Sequence, residues 1–370
     1  MDYRAALRDR SGVGEFTHQL AAALLRAFPS LELSIFSSSW KDRLQRSPDL
    51  DGAHAIDRRV PVALLNFAWH RLGWPAAETI TGERFDVAHS MHPLILPSQS
   101  AAPVVTIYDL NFLTHPEWAR AEIRRDYPSL ARDPAHRAAR IVTISEFSAG
   151  EIVRHLGVPR DRVAVCTPGA PDWRPRTGTP REGYILFFGT LGPRKNVGGL
   201  LDAYEVLVGP AKSGHYGLGR QVPRLVLAGR ATAESRPWLD RIERPPLKGR
   251  VQHLGYVDPA TREALYAGAR VLVQPSFEEG FGMPVVEAMA IGVPVVAANR
   301  GALPEVLGDA GLLVDPARPS EIAAAIDRLL TDEAFAAGCA ARGVARAREF
   351  SWERTARRVY DAYHDACASA

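Results

Sequence analysis

Short apolar runs alternate with amphipathic stretches along nearly the whole chain. LELSIFSS (31–38), FDVAHS (85–90), PVVTIYDL (103–110), RIVTIS (140–145) and RVAVCTPG (162–169) are β-branched and bounded by turn residues, which predicts strands. FTHQLAAALLRAF carries apolar residues at helical spacing, and EFSAGEIVRHLG reads as a helix closed by Gly157. MDYRAAL reads as the end of a strand that feeds the loop RDRSGVGEF, so a start slightly upstream of Met1 or a short first strand is expected. PGAPDWRPRTGTPREG (168–183) is too dense in Pro, Gly and charge to pack, and predicts a linker.

The alternation then restarts with YILFFG, NVGGLLDAYEVLV, a Gly-rich loop at 209–221, RLVLAGR, VQHLGYV, PATREALYAGA, RVLVQPS, PVVEAMAIG, VPVVAA and AGLLVDP. Strand, helix and strand recur without hairpin turns, which argues two doubly wound parallel sheets. The amphipathic SWERTARRVYDAYHDACA ends the chain.

At 370 residues the chain exceeds one ordinary core, in keeping with two domains. A net charge of +3 is too small for a nucleic-acid stripe, and suits an acidic small ligand or anionic lipid. The three cysteines, Cys166, Cys339 and Cys367, lack metal-type spacing and read as thiols of a reducing compartment. No apolar run approaches the roughly 20 residues of a spanning helix, and the N-terminus is charged almost at once, so a cytoplasmic protein is expected.

The chemistry concentrates in SFEEGFGMPVVEAM, which follows the strand-like RVLVQPS. Gly280 and Gly282 permit close backbone approach to a ligand, and a helix beginning near Met283 or Pro284 presents free N–H groups that favour phosphate. Glu279 and Glu287 repel phosphate and suit sugar hydroxyls. A ligand carrying both parts is a nucleotide-sugar. The plain alternative is a strand-to-helix turn with Glu287 on a solvated face. GTLGPRKN stands at a strand end before a helix, where Arg194 and Lys195 would meet a pyrophosphate or else lie on a solvated loop.

EEGFGMPVVEAMAIGVPVVAANRGALPEVLGDAGLLVDP resembles the signature region of family 4 retaining glycosyltransferases of the GT-B fold, with two Glu separated by seven residues. The resemblance extends through GVGEF, VVTIYDLNFL, IVTISEFSAGEIV, GTLGPRKN and FSWERTA. It implies an α/β GT-B architecture: two doubly wound Rossmann-like domains facing a deep interdomain cleft. Residues 1–170 would bind the acceptor, residues 171–351 the nucleotide-sugar donor, and the helix 352–370 would cross back to the first domain.

Carried over by position, Glu279 contacts donor-sugar hydroxyls, with Gly280, Phe281, Gly282 and Met283 approaching sugar and diphosphate. Glu287 binds ribose, and Lys195 with Arg194 neutralises the diphosphate. Gly12 and Gly14 approach the donor from the first domain. Where many relatives carry His before Asp, this chain has Tyr108 before Asp109, and both are expected at the reacting centre; Thr190 replaces an Arg found in some relatives. Ser145 with Glu146, His89, His92 and Trp69 are expected on the acceptor side, although a satisfied structural His reads equally well for His89 and His92. Phe67, Trp69, Trp74 and Arg71 either stack on sugars, rest on a membrane surface or form a partly buried helix. Arg120, Arg124, Arg125, Arg132, Arg137 and Arg140, interleaved with Glu117, Glu122, Asp126 and Asp133, read as a solvated face.

The resemblance implies hexose transfer with retention and front-side attack. The donor is expected to be GDP-mannose, used as co-substrate with no cofactor and no metal. The acceptor would be a glycan or lipid-linked glycan of a cell-surface polysaccharide, met through peripheral contact at the inner face of the membrane. No nucleic acid is expected as partner. A GT-B nucleotide-sugar epimerase and a non-catalytic nucleotide-sugar-binding subunit are the alternatives.

Overall fold

Runs such as VLVQ and VVAA have no polar face, so they are stable as strands only where helices cover both sides of a sheet. The computed structural model describes residues 1–7, 10, 12–45, 47–118, 131–209 and 222–369. The Gly-rich loop beyond 209, and Arg120, Glu122, Arg124, Arg125 and Asp126, lie outside the described residues. Two units form: Met1–Gly169 with Ser351–Ala370, and Ala170–Phe350.

In the first unit, β1 (Ser34–Ser38) pairs in parallel with β2 (His54–Arg58). A second parallel group comprises β3 (Val87–Ser90), β4 (Ala102–Thr106), β5 (Arg140–Thr143) and β6 (Val163–Val165), in that order. Residues 1–3 join the two groups: Phe36 N donates to Met1 O at 2.9 Å, and Asp2 N donates to His89 O at 2.9 Å. Of the strand end expected over MDYRAAL, a single bridge between Asp2 and Phe36 is present, and the chain then turns through a 3-10 helix at Arg4–Ala6.

The helix Val13–Ala27 packs against the last helix, Trp352–Ser369, with Phe28 and Tyr360 stacked at 3.8 Å. The last helix also donates from Arg358 Nη1 to Val165 O at 2.8 Å and from Thr355 Oγ1 to Thr167 O. Its buried stripe is Thr355, Ala356, Val359, Ala362, Tyr363 and Ala366, spaced as an amphipathic helix requires.

The second unit holds six parallel strands in the order β12-β11-β10-β7-β8-β9. They are β7 (Tyr184–Phe188), β8 (Leu225–Ala228), β9 (Val251–Gly255), β10 (Ala269–Gln274), β11 (Val295–Ala298) and β12 (Leu312–Val314). Ile185, Phe187, Leu225, Leu227, Val271 and Val273 bury one face against the helices Val197–Val208 and Pro319–Thr331. Gly229 follows β8 because a Cβ there would stand 2.0 Å from Gly189 O.

Candidate active site

Two loops at the carboxyl ends of neighbouring strands build a charged cluster in the second unit. The chain lays β8 and β9 on one side of β7, then returns to place β10 on the other. At such a switch point the outgoing loops diverge, and ligands of doubly wound sheets bind there.

The loop after β7 contains the 3-10 turn Pro193–Lys195, followed by Asn196 in the left-handed region (φ 55°). Asn tolerates that conformation better than other non-glycine residues. Its side chain holds the two loops together: Oδ1 accepts from Gly199 N at 3.2 Å, and Nδ2 donates to Pro275 O (3.1 Å) and Pro316 O (2.7 Å). Phe277 N also donates to Arg194 O at 2.9 Å.

This arrangement brings Arg194 and Lys195 onto Glu279. Lys195 Nζ donates to Glu279 Oε1, and Arg194 Nη1 donates to Glu279 Oε2 at 3.2 Å and to Glu278 O at 3.0 Å. Gln274 Nε2 (3.0 Å) and Ser276 Oγ (2.8 Å) also donate to Glu279 Oε1. Glu279 is 4% exposed. Burial alone would raise its pKa, but the Lys195 charge and then the Arg194 charge outweigh burial and hold it at about 2. Two cations thus share one buried carboxylate.

The backbone of the same loop is closely packed. Gly282 (φ 105°) caps the helix Met283–Ile291, whose first-turn N–H groups lie at the end of the same loop. Phe281 is buried and packs edge-on to Phe350. Gly301 (φ 59°) lies so close that a Cβ would stand 2.6 Å from Glu279 O, and Ala302 N donates to that oxygen at 2.9 Å.

Glu287 does not lie on a solvated face: it is 5% exposed, and its Oε1 accepts from Arg262 Nη1 at 2.9 Å. Beside it stands Tyr266, whose pKa is pushed well above its ordinary value by burial first and the Glu287 charge second. Arg262 and Tyr266 are four residues apart on the helix Pro259–Ala267 and therefore share its buried face.

In the first unit, Gly12 (φ 55°) caps the helix Val13–Ala27, and Gly14 is buried in its first turn. Tyr108 and Asp109 follow β4. Phe16 meets Tyr108 edge-on at 5.5 Å, and Asp109 Oδ1 accepts from Asn111 N at 3.2 Å. Asp2 takes Arg4 through two oxygens and meets His92 Nε2 at 3.2 Å, so His92 contacts a buried ion pair at the carboxyl end of β3.

Three residues expected on the acceptor side have partners within the first unit. His89 is fully buried between Tyr363 (2.7 Å) and Thr106 (2.8 Å), and burial pushes its pKa down to about 3, so it stays neutral and ties β3 to the last helix. Ser145 is buried as the N-cap of Glu146–Leu156, accepting from Ser148 N at 3.0 Å. Trp69 is buried against Phe36, donates from Nε1 to Pro75 O at 2.8 Å and carries the Arg4 guanidinium on its face. Its neighbours Leu64, Phe67, Leu72 and Trp74 are exposed. Arg137 and Asp133 pair on the surface, as a solvated face predicts.

Residues 10–173 match the family model described as Glycosyltransferase Family 4, and residues 182–332 match Glycosyl transferases group 1. Over 374 aligned residues the chain is 32% identical to O-antigen chain mannosyltransferase B of Escherichia coli, covering 95% of this chain and 96% of that one. The chain belongs to the glycosyltransferases. Sucrose-phosphate synthase from Thermosynechococcus elongatus superposes with a TM-score of 0.77 at 21% identity, covering 97% of this chain and 94% of that one. WaaG, a glycosyltransferase involved in lipopolysaccharide biosynthesis, gives 0.71 at 14%, covering 95% of each. These likenesses establish the fold of this glycosyltransferase as GT-B.

Gln274, Ser276, Arg262, Tyr266 and Gly301 were not singled out in the sequence. A signal for Arg262 exists: a lone Arg on the otherwise apolar face of PATREALYAGA needs a buried acid. Among the described residues no cluster of His, Cys, Asp and Glu has the makings of a metal site, and no helix is long and apolar enough to cross a membrane.

Proposed function

We propose that this glycosyltransferase is a retaining, family 4 mannosyltransferase. It would move mannose from GDP-mannose to a glycan or lipid-linked acceptor of a cell-surface polysaccharide. The carrying observation is the Lys195–Arg194–Glu279 cluster at the β7/β10 switch point, which puts cations, a helix N-terminus and an ionised carboxylate within one loop pair. The 32% identity to an O-antigen mannosyltransferase supports the choice of mannose.

In the proposed reaction the acceptor oxygen bonds to the anomeric carbon on the face from which the phosphate oxygen departs. The acceptor proton passes to the leaving diphosphate. Lys195, Arg194 and the Met283 helix N-terminus stabilise the charge that develops there, in place of a metal. Glu279 holds donor-sugar hydroxyls and Glu287 holds ribose. The exposed Leu64, Phe67, Leu72 and Trp74, with Arg71 among them, support peripheral contact with an anionic membrane face.

A thermal-shift panel of nucleotide-sugars names base and sugar together, with GDP-mannose expected to give the largest rise in Tm. Transfer of labelled mannose in excess EDTA then tests the reaction. Mannose transfer that vanishes with EDTA and returns with a divalent cation would refute the metal-free mechanism. Silence of GDP-mannose, with another nucleotide-sugar stabilising, would refute the donor.

A further inference from the structure

The loop that follows β4 in the first unit is pinned at its backbone. Thr143 Oγ1 donates to Ile107 O at 2.7 Å, Ser148 Oγ donates to Tyr108 O at 2.9 Å, and Asp109 accepts from Asn111 N. One side chain of this loop lacks what its backbone has. Neither the oxygen nor the nitrogen of the Asn111 carboxamide has a hydrogen-bond partner, although both atoms are buried and the residue is only 9% exposed. The neighbouring Tyr108 phenol is buried beside Thr17, whose oxygen gives its own proton to Val13 O at 2.8 Å and keeps lone pairs for the phenol.

Buried polar groups are nearly always paired, because each one left without a partner opposes folding. Two orphaned atoms on one carboxamide, on a backbone held by neighbouring elements, point to hydrogen bonds from outside the chain. The carboxamide is neutral, its nitrogen able to donate and its oxygen able to accept. Such groups match hydroxyls on a sugar ring better than a phosphate. The site lies at the carboxyl end of a parallel strand, where these sheets bind ligands. The charged groups assigned to the donor all lie in the second unit, whereas this carboxamide is neutral and belongs to the first.

We propose that Asn111 is a specificity-determining residue of this glycosyltransferase, its carboxamide reading a hydroxyl of the acceptor sugar beside the Tyr108 phenol. The assignment rests on the proposed mannosyl transfer. The test uses the full chain, GDP-mannose, and methyl α-mannopyranoside with its monodeoxy forms as acceptor probes. In Asn111→Leu, kcat/KM for the parent acceptor falls by about a hundredfold, because a buried site built for a hydroxyl loses its partner. One monodeoxy acceptor, lacking the hydroxyl that is read, distinguishes wild type from Asn111→Leu by less than threefold. Meanwhile Tm stays level or rises, since the variant no longer buries an unpaired amide.

A falling Tm with acceptor kinetics unchanged overturns the proposal and makes Asn111 structural. Coupling to deoxy donors rather than deoxy acceptors overturns the acceptor assignment. If Asn111→Leu does not fold, Asn111→Ala carries the same comparison. Absence of transfer by the wild-type chain would count against the mannosyl reading, whereas transfer that ignores Asn111 counts against this inference alone.

Discussion

Replacing Glu279 by Gln removes one charge from the buried cluster while keeping its shape. A carboxyl that ionises at about 2 in the fold and at 4.5 when free contributes roughly 3 kcal/mol near neutral pH, at about 1.4 kcal/mol per pH unit. The folded pKa lies below the unfolded one, so this stability is complete above pH 4.5 and is lost as pH falls toward 2. Glu279→Gln should therefore weaken the second unit by about 3 kcal/mol at pH 7, and progressively less as pH drops from 5 to 3. Amide hydrogen exchange of β10 and the helix Met283–Ile291, corrected for the intrinsic pH dependence of exchange, reports on this unit alone. Buried Asp2 in the first unit also has a depressed pKa, through Arg4, and global unfolding would mix the two. Wild type and variant profiles that run parallel between pH 5 and 3 would refute the reasoning, because Glu279 would then gain nothing from its cations.

Three further outcomes follow from the same geometry. Lys195→Ala should weaken GDP-mannose binding in calorimetry by roughly ten- to a hundredfold, the usual size of one charged hydrogen bond; unchanged affinity refutes the diphosphate role. Arg262→Met should reduce GDP affinity as much as Glu287→Ala does, and the double variant should be no worse, since Arg262 acts by holding the carboxylate; additive losses would show independent roles. The pair Phe67→Ser and Trp74→Ser should lower co-sedimentation with phosphatidylglycerol vesicles while turnover on a soluble acceptor stays within about twofold, as exposed side chains allow; unchanged co-sedimentation removes the membrane role of this patch.

The strands β7, β8, β10 and β11 of the second unit were legible because their apolar runs have no polar face, and only a strand covered on both sides permits that. β2 was not read from HAIDR because only Ile56 of its five residues is buried. The helices Pro319–Thr331 and Glu333–Ala347 were missed because Asp332 alone separates them, with no Gly or Pro to mark the break. At strand ends the sequence places a residue at the carboxyl edge without choosing its face. His89 illustrates the cost: Tyr363, which decides its role, lies 274 residues away. The Glu pair and the RKN loop were legible one by one, whereas their joining through Asn196 spans 79 residues to Pro275 and became visible only in the fold.

The coupling of those two loops explains why a site for an anion keeps a buried acid. Without Glu279, Lys195 and Arg194 would repel each other and bury charge without compensation; with it, both are oriented before ligand arrives. On the proposed function, a diphosphate then competes with Glu279 for the same two cations. Each cation that turns toward phosphate releases a lone pair on the carboxylate, which Gln274 and Ser276 do not fill by themselves. Sugar hydroxyls are donors of the right kind to take that place. Diphosphate and sugar would thus be bound by one exchange of partners: GDP alone pays for disturbing the ion pair, and GDP-mannose recovers the loss through its hydroxyls. On that reading the acid between the cations would make recognition of the sugar conditional on recognition of the phosphate, which two separate pockets would not achieve.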